Sequence, residues 1–309
     1  MRYLLRLALT ISAAVLFTDC GGSQPPIDPR VTMQQAPSSA SAGQPALAQR
    51  LARGTGEVQY FSNNGYGGGG LLEFDFPKGE SPIGSITFNG GGFCTKGART
   101  FWATGSDEIA EFKVGGATPI RVLKTGPYSS GCAIDPATGD LAALEVFGGV
   151  TIFHKARGKG KVISGSGLAY FDGYDNQSNL FVDGFSSTYD FALVELKKGS
   201  SAFVTITTSN TVEFPGSVQW DGKYLTVTDQ GADAIYRYTV SGTNATLKGT
   251  VLLSGAADCA ASWIARLYVY CADAGNNDGE VFKYPAGGLP IATLEGLDFP
   301  LGVVSLRVR

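Results

Sequence analysis

The stretch Gly216-Ser-Val-Gln-Trp-Asp-Gly-Lys-Tyr-Leu-Thr-Val-Thr-Asp229 places a glycine, a short apolar strand, a turn and a second apolar strand in succession. Two more strand-like segments follow it, Ala234–Val240 and Thr250–Leu253. The residues between the first two strands, Asp221–Lys223, are typical of a tight turn. The stretch therefore predicts four short strands joined by turns, as in a single antiparallel sheet.

This four-strand pattern recurs along the chain. The residues that open each copy lie 39 to 44 positions apart and are Gly92, Gly131, Gly173, Gly216, Asp258 and Gly302. The third strands alternate polar and apolar residues, as in Ala110–Val114 and Val281–Tyr284, which indicates one packed and one solvated face. A period of about forty residues that consists only of short strands is typical of a β-propeller blade.

The two ends of the repeat predict how the ring closes. After Gly302 only one strand remains, Val303–Arg309, whereas three strands precede Gly92, at Val58–Phe61, Leu71–Phe76 and Ile83–Phe88. We therefore expect an all-β, six-bladed β-propeller over residues 55–309, in which the C-terminal strand completes the N-terminal blade. A ring of five or seven blades would require that one of the intervals between successive copies be assigned wrongly. A β-sandwich with a second small domain is the alternative architecture, but it gives no reason for the period.

The N-terminus has the features of an export signal. An apolar stretch, Leu7–Phe17, follows two arginines and is too short to span a bilayer. The cysteine after it, Cys20, is followed by small polar residues, which resembles the lipid-attachment site of bacterial lipoproteins, although Phe17 and Asp19 depart from that pattern. We expect residues 1–20 to be a signal peptide with lipidation at Cys20. Ordinary secretion and an uncleaved anchor are the alternatives.

The next segment, residues 21–54, is rich in Pro, Ser, Ala and Gln. Such a composition buries too little apolar surface to offset the entropy of ordering, so we expect a disordered tether between anchor and propeller. The protein would then be a membrane-tethered lipoprotein, periplasmic or at the cell surface. Without lipidation it would be secreted.

Two motifs carry a family resemblance. The segment Gly131-Cys-Ala-Ile-Asp-Pro-Ala-Thr-Gly139 and the strand Leu180–Asp183 resemble the six-bladed propellers of the NHL and SMP-30/gluconolactonase type, and secreted bacterial propellers in particular. The resemblance extends over residues 57–309. It implies the fold but little of the function, because propellers of this type include lactonases, lyases and scaffolds without activity.

Composition limits the classes of partner. The net charge is −3 and charged residues make up 17% of the chain, so no basic footprint for nucleic acid is present. We expect a monomer that binds a protein, a glycan or a small molecule, and that contacts a membrane only through its lipid anchor.

Chemistry-bearing residues concentrate at the ends of the second strands. His154 is the only histidine, which argues against Ser-His-Asp catalysis, and no catalytic residue is assigned. Acids that end second strands could together hold calcium or another divalent cation at the channel mouth. They are Glu145, Asp183, Asp229 and Asp273, and Thr104 takes the corresponding place in the first complete unit. The alternative is that each acid hydrogen-bonds its own turn, in which case no cofactor is needed.

The cysteines predict two disulfides. Cys259 and Cys271 flank a hairpin turn and should face each other across its two strands. Cys94 and Cys132 open the first strands of adjacent blades and could pair around the channel. Export to an oxidising compartment favours both bridges.

Two functional hypotheses follow. In the first, the chain is a surface-tethered propeller that acts as a binding or interaction module, with an assembly scaffold as a variant. In the second, it is a metal-dependent, lactonase-like hydrolase that acts at the channel mouth. Three or more side-chain oxygens converging at one end of the channel would favour the hydrolase.

Overall fold

The computed structural model describes residues 56–65 and 69–308, and within these ranges the chain is all-β. A 3-10 turn at His154–Ala156 interrupts the strands. The described residues contain no helix that is long and apolar enough to cross a membrane. The predicted signal peptide, the lipidation site at Cys20 and the tether at 21–54 lie outside the described residues.

The N-terminal sheet contains both ends of the described chain. It consists of β1 (Gly56–Asn63), β2 (Gly70–Phe74), β3 (Gly84–Ile86) and the last strand, β24 (Val303–Val308). Its order is β24-β1-β2-β3, and β24 pairs antiparallel with β1 from Phe61 opposite Val303 to Gly56 opposite Val308. The C-terminal strand thus occupies the edge that the sequence predicts for it.

Three further sheets have four antiparallel strands in sequence order. The first contains β4 (Phe93–Cys94), β5 (Thr100–Thr104), β6 (Glu108–Lys113) and β7 (Pro119–Lys124). The second contains β8 (Ser129–Ile134), β9 (Leu141–Glu145), β10 (Gly149–Phe153) and β11 (Lys161–Ser164). The sheet nearest the C-terminus contains β20 (Cys259–Ala265), β21 (Tyr268–Asp273), β22 (Asp278–Lys283) and β23 (Ala292–Leu294).

The middle of the chain forms one eight-stranded sheet. Its strands are β12 (Leu168–Tyr174), β13 (Leu180–Phe185), β14 (Phe191–Leu196), β15 (Val204–Thr208), β16 (Val218–Trp220), β17 (Leu225–Asp229), β18 (Ala234–Ser241) and β19 (Asn244–Leu252). The order is β12-β13-β14-β15-β19-β18-β17-β16. Two antiparallel four-stranded runs therefore meet at β15 and β19, whose parallel pairing extends over two residue pairs.

The cores lie between neighbouring sheets, in a propeller-like arrangement. Tyr60 of β1 stacks on Phe101 of β5, with ring centroids 4.2 Å apart, inside a cluster that also buries Val304 and Phe112. Full burial of one large apolar side chain contributes about 1.5–3 kcal/mol to the free energy of unfolding. Packing between sheets, rather than within one, therefore stabilises the arrangement.

Two of the recurrent glycines, Gly92 and Gly173, lie where first strands approach one another closely. A Cβ atom on Gly173 would lie 2.3 Å from the carbonyl oxygen of Val218, and one on Gly92 would lie 2.1 Å from that of Ser130. Gly173 and Gly131 lie inside β12 and β8, not before them as the sequence pattern suggests. At these positions glycine is required by close backbone contact and not by a turn.

We expect Gly173→Ala to lower the free energy of unfolding by about 1–3 kcal/mol, because the added methyl group overlaps the backbone of β16. Gly79→Ala is the matched control, since a Cβ there meets no atom within 4 Å and its effect should stay within about 0.5 kcal/mol. Denaturant titration of both variants measures the difference. Equal stabilities would contradict the close-approach explanation.

Removal of residues 303–309 should cost about 5 kcal/mol or more and abolish cooperative unfolding, because β1 loses its partner and buried Val304 and Leu306 are lost. Circular dichroism and light scattering on heating measure the outcome. Arg307→Ala, which changes an exposed side chain of the same strand, should leave the melting temperature nearly unchanged. A truncated chain that melts like the full chain would show that β24 does not hold the structure closed.

Candidate functional site

One face of the molecule collects two sets of connections. In an antiparallel meander, the connection that enters the first strand and the connection between the second and third strands lie at the same end of the sheet. We call this end the loop face. Neighbouring sheets touch there, as Tyr128 N–H donates to Ser106 O at 2.6 Å and Ala169 N–H donates to Val146 O at 3.0 Å. Ligands of a propeller have access to loops of several sheets on such a face.

Two of the predicted metal ligands hold loops together instead. Asp229 Oδ2 accepts a hydrogen bond from Glu213 N–H at 2.8 Å, and its Oδ1 accepts bonds from the N–H groups of Phe214 and Gly231. Asp273 does the same in the next sheet, where Ala257 N–H donates to Oδ2 at 2.8 Å. Both carboxylates thus tie the connection that enters the first strand to the connection that follows the second strand.

The other two predicted ligands lie in different surroundings. Glu145 Oε1 accepts bonds from Gly126 N–H at 3.1 Å and from the Thr151 hydroxyl at 2.7 Å. Asp183 points toward the neighbouring run of strands, where Gly216 N–H donates to its Oδ2 at 3.1 Å. Burial raises the pKa of Asp183 well above its usual range, and the backbone donor at Gly216 offsets part of this shift.

The structure does not gather these four acids around one point. Within the described ranges, the metal-ligating side chains that come together are those of Asp273, Asp278 and Glu280, whose nearest carboxylate oxygens lie within 4.8 Å of one another. Sequence reasoning missed Asp278 and Glu280, because it begins the third strand at Val281 whereas β22 begins at Asp278. The density of oxygen-bearing side chains in residues 273–280 was the available signal.

The three-acid group is partly shielded from water. Glu280 is 4% exposed and its Oε2 has no hydrogen-bond partner, and the same holds for Oδ1 of the half-buried Asp278. Burial, with help from neighbouring carboxylates, raises the pKa of Glu280 to about 7 and that of Asp278 to about 6. Oxygen ligands of this kind suit a hard cation.

A second acid without a partner lies at a central cavity. The cavity has a volume of about 60 Å³ and is lined by residues of β4, β8, β12, β16, β20 and β24. Asp172 of β12 borders it, is 8% exposed, and has no hydrogen-bond donor at either carboxylate oxygen. Burial raises the pKa of Asp172 well above its usual range.

The remaining site predictions concern His154 and the cysteines. His154 is 76% exposed beside Asp140, far from the arrangement that a hydrolytic triad requires. Cys94 and Cys132 form a disulfide between β4 and β8.

The second predicted disulfide is also present, but the pairing of the two strands that it joins differs from the expected one. Cys259 and Cys271 are bonded, yet they are not opposite each other. Cys259 pairs with Asp273 and Cys271 with Ser262, because the strand pairing shifts between Cys259 and Ala261. The disulfide therefore runs diagonally across an irregular pair of strands. The bond was predicted because the cysteines should lie opposite each other, and that expectation was wrong.

Exposed aromatic side chains form a patch on the loop face. Tyr128, Phe147 and Tyr189 are 39%, 67% and 58% exposed, and the rings of Tyr128 and Phe147 meet edge to face at 5.4 Å. Half-buried Tyr170 follows Ala169, whose N–H donates to the carbonyl oxygen of Val146, the residue before Phe147. Burial, and after it the nearby Tyr189, raises the pKa of Tyr170. We call these four aromatic residues the aromatic patch. The ring of Phe185 meets that of Tyr170 edge to face, with ring centroids 5.8 Å apart.

The backbone presents two of these rings in an unusual way. Tyr128 has φ 61° and Tyr189 has φ 63°, in the left-handed region that bulky residues rarely adopt. Hydrogen bonds fix both loops, since Val146 N–H donates to Tyr128 O at 3.1 Å and Tyr189 N–H donates to Ser186 O at 3.0 Å. Such backbone conformations concentrate at functional sites.

Asp172→Asn should stabilise the protein by about 1 kcal/mol or more at pH 8, because it removes a buried charge that has no partner. A carboxyl whose folded-state pKa is raised loses stability as pH rises above its unfolded-state pKa. The difference in free energy of unfolding between the variant and the parent should therefore grow from pH 5 to pH 8. Urea titrations across this range, with exposed Asp107→Asn as the control, give the measurement. A variant less stable than the parent at pH 8 would contradict this account.

Comparison with known proteins identifies the fold. The sequence matches no protein-family model and no curated protein. A chain in a crystal structure of a nidogen/laminin complex superposes with a TM-score of 0.62 at 12% identity, over 81% of this chain and 98% of that one. A protein of unknown function from Bacteroides caccae superposes with a TM-score of 0.57 at 12% identity, over 80% and 98%. These likenesses show a β-propeller fold.

Proposed function

We propose that this protein is a β-propeller binding module that recognises neutral glycans through the aromatic patch on its loop face. The observation that carries the proposal is the exposure of Tyr128, Phe147 and Tyr189 on one face, two of them with a left-handed backbone. Flat aromatic rings offer a large, rigid contact surface at little cost in conformational entropy. They stack well on the apolar faces of sugar rings.

The chemistry around the patch favours a neutral ligand that is rich in hydroxyl groups. The five connections of this part of the loop face, residues 125–128, 146–148, 165–167, 186–190 and 209–217, contain no Lys, Arg or His. Beside Tyr189, the Thr188 hydroxyl lies 2.9 Å from that of Ser186 and donates to Asp190 Oδ2 at 2.7 Å. Hydroxyls and one carboxylate can exchange hydrogen bonds with sugar hydroxyls. The lysine that precedes the first of these connections, Lys124, is already paired with Asp107 and Glu108.

We assign six blades to the ring. The central cavity is bordered by six strands, each of which begins or completes a run of four, and the eight-stranded sheet divides where β15 meets β19. On this count β24 closes the ring as the first strand of the N-terminal blade. Resemblance to the NHL and SMP-30/gluconolactonase type is consistent with the same number.

The sequence upstream of the propeller suggests where the module works. A signal peptide over residues 1–20, lipidation at Cys20 and a tether at 21–54 would hold the propeller outside the cytoplasm as a monomer at a membrane surface. In that position the aromatic patch would meet envelope or extracellular glycans.

The alternative function, a metal-dependent lactonase-like hydrolase at the channel mouth, has less support. Oxygens of Glu145, Asp229 and Asp273 accept hydrogen bonds from loop N–H groups, and Asp183 accepts one from another strand run. Carboxylates used in this way hold the loops in place and are not free to converge on one ion.

The test is an array of neutral and acidic glycans, followed by calorimetry with the best neutral ligand. A double variant, Tyr128→Ala with Phe147→Ala, should weaken binding at least about tenfold, because each ring supplies central contact area. Tyr189→Ala should weaken binding in the same direction. Both changes affect exposed rings, so the variants should stay folded.

Leu267→Ala is the control. Leu267 is 70% exposed, and it lies in the turn between β20 and β21, at the opposite end of the sheets from the loop face. Its substitution should leave glycan affinity unchanged. A chain that binds no neutral glycan, or a double variant that binds like the parent, would contradict the proposal.

A further inference from the structure

We propose that Asp278 and Glu280, with Asp273 beside them, form a binding site for a hard divalent cation of the size of calcium, at the boundary between the last sheet and the strands β16–β19. The site is separate from the central cavity and from the aromatic patch. The inference does not depend on glycan binding.

The strand register places the three acids on one side of the sheet. Asp273 pairs with Asp278 across β21 and β22, and Glu280 pairs with Cys271 two residues further along both strands. Residues two apart on a strand face the same way. This face packs against β18, because Cys271 and Phe282 share a buried cluster with Ile235. The acids therefore lie at the edge of an apolar contact between sheets.

Both Asp278 and Glu280 have a buried carboxylate oxygen without a hydrogen-bond donor. Glu280 is 4% exposed, and its Oε2 has no hydrogen-bond donor. Asp278 Oδ1 is likewise buried without a donor. A buried carboxylate oxygen without a partner costs free energy, whereas a bound cation would satisfy it. No Lys, Arg or His of the described residues forms an ion pair with either acid.

Asp273 has a different role. Its Oδ1 accepts hydrogen bonds from the N–H groups of Asp258, Gly275 and Asn276, and its Oδ2 accepts them from Ala257 N–H and Asn276 Nδ2. These five donors leave little capacity for direct coordination. Asp273 instead fixes the turn that leads into Asp278, and it adds negative charge because one of its carboxylate oxygens lies within 4.8 Å of an oxygen of each of the other two acids. Such orienting groups commonly set the affinity of a metal site.

A site that offers only oxygen ligands and is shielded from water suits calcium better than magnesium. Calcium takes oxygen ligands at about 2.3–2.6 Å, so ligands on opposite sides of the ion are up to about 5 Å apart. The carboxylate oxygens of Asp278 and Glu280, the two acids left to coordinate directly, lie within 4.8 Å of each other and fit this span. Magnesium requires ligands at about 2.0–2.1 Å in a strict octahedron and keeps several waters. An all-oxygen group gives no preference for zinc or copper, which favour nitrogen and sulfur ligands.

The experiment uses the full chain, freed of metal with EDTA and dialysed. Isothermal titration with calcium chloride should show one site, with a dissociation constant on the order of 10⁻⁴ M, and calcium should raise the melting temperature. Magnesium at the same concentration should bind more weakly. Glu280→Gln and Asp278→Asn should each weaken calcium binding by more than about tenfold, because each removes a ligand charge.

Glu195→Gln is the matched control. Glu195 lies on the third strand of another run, is also 4% exposed, and also has Oε2 without a donor, but no acidic group of this kind surrounds it. The Glu195→Gln substitution should leave the calcium affinity unchanged. Because Asp278 is half-buried, Asp278→Asn retains the fold if Glu280→Gln does not. A parent chain that binds neither cation, or an Asp278→Asn variant with parental calcium affinity, would overturn the proposal.

Discussion

The close approach of first strands around the central cavity constrains the rest of the structure. Where β12 passes β16, a single Cβ on Gly173 would lie 2.3 Å from a carbonyl oxygen, and Gly92 faces the same restriction beside Ser130. Backbones this close leave no room for side chains, so bulky residues pack further out, between sheets. Tyr60 stacked on Phe101 is one such contact. The small inner residues and the aromatic cores are two consequences of the same geometry.

Acidic side chains divide into two groups in this frame. Asp229 and Asp273 accept several backbone hydrogen bonds each, and this satisfies loop N–H groups that would otherwise be costly to bury. Asp172 and Glu280 are also buried but have oxygens without donors. The first group stabilises the loops, while the second lowers stability unless protonation or a ligand compensates. Acids of the second group are therefore the better indicators of binding.

The sequence predicted the period, the pairing of the last strand with β1 and both cysteine pairs, because these depend on spacing along the chain. It did not predict features that depend on register. Side chains alternate in a strand, so an error of one residue moves a side chain to the other face. Asp183 was grouped with Asp229 but points toward another run of strands. Glu280 was missed because β22 begins three residues before the expected position.

The same reasoning explains why both proposed sites lie near connections. Inner strand positions are fixed by backbone contact, and outer positions by packing between sheets, so neither can change without loss of stability. The turns between second and third strands are free of both restrictions. They carry Phe147 and Tyr189 in two sheets, and in the last sheet such a turn leads directly into Asp278. A repeated scaffold can thus acquire different ligands at different blades, because each turn varies independently while the strands around it do not.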